Sequence, residues 1–204
     1  SILADIQKQL GRGATGTVYL ARDTFSGREV ALKVIEPEVF RDPQFGTVHR
    51  TQFLNEASLA GKLKHPHIVG IHDSGQSAGN FYFVMDYIRG QPLDVYVQGG
   101  QRTIEDVLQL FAKICEAVNA AQLRGVIHRD LKPGNIRIDP EGEPHILDFG
   151  ICFDSRQTMI LTHEGEMFWN EFIILPECQD LEGGHRDLRS DITALVGVFF
   201  SCLT

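Results

Sequence analysis

The densest run of reactive side chains in this 204-residue chain is the octet His128-Arg129-Asp130-Leu131-Lys132-Pro133-Gly134-Asn135. It packs an acid, a base and an amide into one loop ahead of a short strand. Asp130 could accept a proton or orient a hydroxyl. The amide oxygen of Asn135 could ligate a hard cation. Asp148-Phe149-Gly150 closes the hairpin that follows. Pairing across that hairpin would bring Asp148 close to Asn135, and the two oxygen donors together suit magnesium. The tripeptide alone would mean little, whereas a structural loop would not hold the whole octet by chance.

Three further features lie upstream. Gly11-Arg12-Gly13-Ala14-Thr15-Gly16-Thr17-Val18 sits between two expected strands. Glycines let a backbone approach phosphate oxygens and offer its N–H groups. Alone the pattern is equally that of a glycine-rich hairpin turn, and it does not open a helix as a dinucleotide fingerprint would. In Val30-Ala31-Leu32-Lys33, alternation puts Ala31 and Lys33 on one face, a small residue beside a cation. That suits a flat base packed near phosphates, although a lone strand lysine more often just reaches solvent. Glu56 falls on an otherwise apolar helix face, where burial would demand a partner. Lys33 is the natural one; a partly solvated edge position is the alternative.

The elements that must position these groups divide into two patterns. Residues 6–10, 17–22 and 28–35 alternate as strands, with a turn over residues 23–27. Residues 47–63 have helical spacing, with Phe53, Glu56, Ala60 and Leu63 on one face. Residues 68–73 and 80–86 read as two more strands, joined by a turn containing glycine and serine. This predicts a five-stranded antiparallel lobe with one helix. After Gly90 the pattern turns helical. Thr103 with Asp106 resembles a capping box opening a helix to about Arg124. Its expected buried side is Ile104, Val107, Leu108, Phe111, Ile114, Cys115 and Val118. Residues 136–138 and 145–147 read as short strands around Asp139-Pro140-Glu141-Gly142, a type I turn. A strand lobe, a connector and a helical lobe imply a ligand cleft between them.

Composition bounds the partners. The formal net charge of −8 disfavours a broad nucleic-acid or anionic-membrane surface. Cys115, Cys152, Cys178 and Cys202 have no metal-knuckle or redox spacing and read as thiols in a reducing, cytoplasmic compartment. The histidines, His49, His67, His72, His145, His163 and His185 among them, show no metal spacing. The first residues lack a charged-then-apolar signal pattern, so secretion is not expected from this segment. The apolar run over residues 192–203 is too short to span a bilayer and reads as a fully buried core helix, which a longer parent chain could continue towards an anchor.

Taken in order, these motifs resemble the eukaryotic-like protein kinases of serine/threonine type over essentially the whole chain. The resemblance implies an α+β, bilobal fold: an N-lobe over residues 1–85, a hinge over 86–90 and a C-lobe over 91–204. It implies transfer of the γ-phosphate of Mg-ATP to a protein Ser or Thr hydroxyl. Gly11, Gly13 and Gly16 would cover the phosphates; Lys33 would hold them and pair with Glu56. Asp130 would be the catalytic aspartate, with Lys132 beside the transferred phosphate. Asn135 and Asp148 would hold Mg²⁺. Val18 and Ala31 would roof the adenine, Met85 would be the gatekeeper, and Asp86 to Ile88 would form the nucleotide-binding hinge. Ala60, Ile71, His128 and Phe149 would stack, anchored by Asp191. Phosphorylation of Thr158 or Thr162, or more weakly Ser155, would neutralise Arg129.

The pattern departs in three places. Gly165 is followed by Glu166 and Met167, and the later motif reads Leu175-Pro176-Glu177, closer to bacterial members. Arg137 stands where an apolar adenine floor is usual; its stem could pack there, or nucleotide affinity could fall. The chain stops at Thr204, where family members continue, so the expectation is a fragment of a longer kinase. A pseudokinase scaffold is the competing function, and a small-molecule phosphotransferase a third.

Overall fold

The computed structural model describes residues 4–13, 16–35, 57–58, 60–126, 128, 131–148 and 189–203. Two compact units emerge, Ser1–Lys64 with Val69–Ile88, and His65–Ile68 with Arg89–Thr204.

The first unit is a five-stranded antiparallel sheet. Its strands are β1 (Ala4–Gly13), β2 (Gly16–Asp23), β3 (Glu29–Ile35), β4 (Ile71–Ser77) and β5 (Asn80–Asp86), in the order β1-β2-β3-β5-β4. Unbroken alternation along β2, β3 and β5 gives the sheet two apolar faces. Ala21, Val30 and Val84 pack on one, with Ala4, Leu32 and Tyr82 against them. Leu20, Ala31, Phe83 and Met85 are buried on the other. The β2–β3 turn is held by Asp23, whose carboxylate accepts from the Phe25 amide (2.9 Å) and the Ser26 hydroxyl (2.8 Å). Those bonds lower the Asp23 pKa, the Phe25 amide contributing most. Of the helix expected over residues 47–63, Ala57, Ser58 and Ala60 are helical. Residues 47–56 lie outside the described residues.

One strand is placed differently from the sequence expectation. Residues 68–70 do not join β4. Ile68 instead bridges Ile146 in parallel, the Ile146 amide donates to the His67 carbonyl (2.8 Å), and His67 Nδ1 meets the Pro144 carbonyl (2.9 Å). These bonds make His65–Ile68 part of the second unit. The His65 imidazole accepts from the His67 amide (3.1 Å), and burial pushes its pKa down. β4 then runs on through the glycine and serine expected to turn, because Gly75 and Ser74 pair with Tyr82 and Phe83.

In the second unit, β6 (Gln91–Pro92), β7 (Ile136–Ile138) and β8 (Pro144–Ile146) form an antiparallel sheet in that order. Gly90 is required at its edge, where φ is 157° and a Cβ would lie 2.0 Å from the Ile138 carbonyl oxygen. The turn at residues 139–142 closes with Gly142 N–H donating to the Asp139 carbonyl (3.0 Å). Helix α1 (Leu93–Gln98), like β6, was not legible in the sequence. Helix α2 (Ile104–Gln122) opens with the expected capping box: Thr103 Oγ1 accepts from the Asp106 amide, and the Asp106 carboxylate accepts from the Thr103 amide.

The α2 face is rotated from the expected one. Val107, Leu110, Phe111, Ile114, Ala117, Val118 and Ala121 are buried, whereas Ile104, Leu108 and Cys115 are exposed. The small Ala117 and Ala121 belong to the stripe, and Leu108 and Ile104 do not. Helix α3 (Arg189–Leu203) likewise differs from a fully buried helix. Asp191, Leu195 and Val198 are buried, and Phe199 meets Phe111 edge-on at 4.7 Å, but Ile192, Val196 and Phe200 are exposed. Among the described residues, no helix is long and apolar enough to cross a membrane.

Candidate active site

The first unit gathers four of the expected residues on one face. Lys33 lies opposite Val18 on β2 and Phe83 on β5, and Ala31 lies opposite Leu20 and Met85. Directly paired residues point the same way, so Val18, Ala31, Lys33 and Met85 share a face. Lys33 is 5% exposed within it. A buried ammonium is costly unless anions surround it. Glu56, the carboxylate expected there, lies outside the described residues.

Gly11 pairs with Val18, and Gly13 with Gly16, at the end of the β1–β2 hairpin. The glycines differ in kind. At Gly16, φ is 153° and a Cβ would sit 2.0 Å from the Val34 carbonyl oxygen, so packing alone demands glycine. At Gly11 a Cβ would meet nothing within 4 Å. Among the described residues no contact explains that glycine, which leaves the strand surface open to a close neighbour.

Asp86 ends β5 with its side chain on the sheet face opposite Lys33. Its carboxylate meets His72 Nε2 at 2.5 Å and the Arg28 guanidinium at 4.0 Å. Its amide donates to the Gly70 carbonyl (3.1 Å). Ile88 is half-buried.

In the second unit a chain of hydrogen bonds supports the loop residues. Asp191 on α3 is 1% exposed, and its carboxylate accepts from the main-chain N–H of fully buried His128 (2.7 Å). His128 Nε2 lies 2.6 Å from the Leu147 carbonyl. The Leu147 amide donates to the Asn135 carbonyl (2.8 Å). Asn135 ends a single 3₁₀ turn, Pro133–Asn135, whose closing bond runs from its amide to the Lys132 carbonyl (2.9 Å). Lys132 is exposed. Asp148 follows Leu147 with φ 62°, a left-handed conformation that costs a non-glycine residue roughly 1–2 kcal/mol. Such strain clusters where a side chain must be aimed for function.

An amide and a carboxylate oxygen in this arrangement have the hard-donor chemistry that suits Mg²⁺. Among the described residues, no group of three or more His, Cys, Asp or Glu could hold a metal. A magnesium ion at Asn135 and Asp148 would complete its shell with phosphate and water, as that ion usually does.

The Arg137 guanidinium donates to the exposed Gly90 carbonyl (3.3 Å), a bond made at the surface. Asp130, Arg129, Phe149, Thr158, Thr162, Ser155 and the segments around Glu166 and Pro176 lie outside the described residues.

The sequence expectations did not include the His72–Asp86 and Asp139–His145 pairs. His72–Asp86 left no signal, because it depends on a local irregularity in β4. Asp139 holds its own turn through the Glu141 and Glu143 amides (3.0 and 2.9 Å) and binds His145 Nε2 (2.8 Å). An Asp opening a Pro-Glu-Gly turn was the available clue to that second pair.

Residues 4–170 match the protein kinase domain family. The chain belongs to that family. This kinase chain is 36% identical over 200 residues to the serine/threonine-protein kinase PrkC of Bacillus subtilis, covering 98% of the chain and 30% of that protein. It is 34% identical over 200 residues to PknB of Mycobacterium leprae, covering 96% and 31%. Among solved structures, the PknI kinase domain of Mycobacterium tuberculosis matches with TM-score 0.63 and 29% identity, over 75% of this chain and 62% of that one. The chain therefore spans about three-tenths of the length of these curated relatives. The α+β protein kinase fold expected from the motifs is the fold observed, and the similarity is to bacterial members.

Proposed function

We propose that this chain carries the catalytic machinery of a serine/threonine protein kinase. The observation that carries the reading is Lys33, a buried ammonium sharing a sheet face with Val18, Ala31 and Met85 in a chain that belongs to the kinase family. In this reading residues 1–85 are the N-lobe, 86–90 the hinge and 91–204 the C-lobe. Gly11, Gly13 and Gly16 offer backbone N–H groups to the phosphates of ATP. Lys33 holds those phosphates, with Glu56 fixing the ammonium. Val18, Ala31 and Met85 pack the adenine, and Asp86 and Ile88 contribute main-chain groups, the Asp86 side chain being engaged by His72.

Asp130 orients the substrate Ser or Thr hydroxyl and takes its proton. The hydroxyl oxygen forms a bond to the γ-phosphorus as the bond to the β-phosphate oxygen breaks, and Lys132 offsets the charge on the transferred group. Asn135 and Asp148 would hold Mg²⁺, which would supply positive charge against the phosphates. The named relatives are serine/threonine-protein kinases, which supports a protein substrate. The net charge of −8 argues against nucleic acid as a partner, and cysteines without disulfide or metal spacing suit a cytoplasmic setting.

The test is phosphate transfer from Mg-ATP to a generic protein substrate, with phosphoamino-acid analysis, run beside Asp130→Asn. The expected loss is about 100-fold or more. Equal incorporation by the two proteins would remove the enzymatic reading.

A further inference from the structure

The β4–β5 ladder pairs Ile71 with Met85 and then Asp73 with Val84, so His72 is the extra residue at a register shift. Bulges of this kind re-aim a side chain, and they concentrate beside functional sites. Here the His72 imidazole is turned onto Asp86, with Nε2 2.5 Å from Oδ1. The Arg28 guanidinium approaches the same oxygen at 4.0 Å, and the Asp86 amide is bonded to the Gly70 carbonyl (3.1 Å). Gly70 packs against the other carboxylate oxygen, since a Cβ there would lie 3.3 Å from Oδ2. Both the main chain and the side chain of Asp86 are therefore held by the start of β4.

Asp86 follows Met85, which shares a face with Lys33, and Asp86 itself points to the other face. Through this strand end the histidine is connected to the Lys33 face. We propose that His72 is a positioning residue for nucleotide binding. Through Asp86 it fixes the main chain at residues 85–88, which this reading assigns to the purine. The inference rests on the kinase function proposed above.

The test uses the 204-residue chain with Mg-ADP as probe. Its readouts are the Kd by calorimetry, KM for ATP against kcat, and the urea midpoint. The variants are His72→Phe, His72→Gln, Asp86→Asn and the double variant His72→Phe/Asp86→Asn. An exposed pair of this kind supports roughly a two- to fivefold change. His72→Phe should raise the Kd and KM by that factor with kcat retained. His72→Gln, which keeps an N–H donor, should recover most of the loss. The effect of His72→Phe should shrink when Asp86 is already Asn. An unchanged Kd in His72→Phe, or the same rise with and without Asp86, overturns the inference while leaving the kinase reading intact. Wild-type protein that neither binds Mg-ADP nor transfers phosphate overturns both.

Discussion

Replacing Asp191 by alanine tests whether α3 positions the loop that carries Asn135 and Asp148. The Asp191 carboxylate is 1% exposed and accepts the main-chain N–H of His128 at 2.7 Å, where His128 is fully buried. A hydrogen bond to a charged acceptor contributes about 1.5–3 kcal/mol, and a buried donor stripped of that acceptor costs about 1–3 kcal/mol. These describe one bond from two sides and are not summed. Removing the carboxylate also returns its own desolvation cost. The net expectation is a loss of about 2 kcal/mol. With an m value of about 2 kcal/mol/M, the urea midpoint falls by about 1 M. Asp191→Asn keeps an acceptor oxygen and should lose less than half as much.

The effect should also reach the site. From His128 the bonds continue to the Leu147 carbonyl (2.6 Å) and from the Leu147 amide to Asn135 (2.8 Å), with Asp148 next in sequence. A protein of ordinary stability, about 5–15 kcal/mol, stays almost wholly folded after a 2 kcal/mol loss. A fall in kcat at 25 °C therefore reports displacement of Asn135 and Asp148 rather than unfolding. Phosphotransfer kinetics and urea titration on the same samples separate the two. An Asp191→Ala protein with the wild-type midpoint would refute the energetic argument. One that loses stability but keeps its kcat would refute the connection from α3 to the loop.

Two other expectations follow from the geometry. Gly11→Ala places a methyl group where nothing lies within 4 Å, so stability should change by less than about 0.5 kcal/mol while KM for ATP rises, and a KM equal to wild type would show that Gly11 approaches no phosphate. Burial raises the pKa of Asp139, but the His145 hydrogen bond and the Glu143 and Glu141 amides outweigh it and leave the value below 3.8. A depressed folded-state pKa means the stabilisation is present above about pH 3.8 and is lost as pH falls through the folded value. The stability gap between wild type and Asp139→Asn in urea should thus be wide at neutral pH and narrow in acid, and a constant gap would contradict the assignment.

Local chemistry made much of this protein legible. The strands β2, β3 and β5 follow from alternation, which any half-buried ladder imposes, whereas residues 5–12 of β1 are exposed throughout. The α2 capping box follows from Thr103 and Asp106 three residues apart, because the reciprocal bonds need only one turn of chain. The faces of long elements were less legible. Ile104 and Leu108 are apolar yet exposed, because which stripe of α2 is covered depends on β8 and α3, and no residue of α2 encodes their position. The same holds for Ile192, Val196 and Phe200 on α3.

By itself the sequence determined the family: the octet His128–Asn135, Asp148, Lys33 and the glycine-rich run resemble the protein kinases in residue type and order, and residues 4–170 match that family. That is possible because those groups must recur in fixed order on particular elements to reach one ligand. Only the tertiary structure decided how the groups are held. The segment His65–Ile68 leaves its neighbouring strand to join the second unit, because His67 and Ile68 find partners in Pro144 and Ile146, some 77 residues away. His72 meets Asp86 through a one-residue irregularity, and the guanidinium of Arg137 turns back to Gly90. Contacts between residues distant in sequence carry no local periodicity, so they become visible only when the chain has closed on itself.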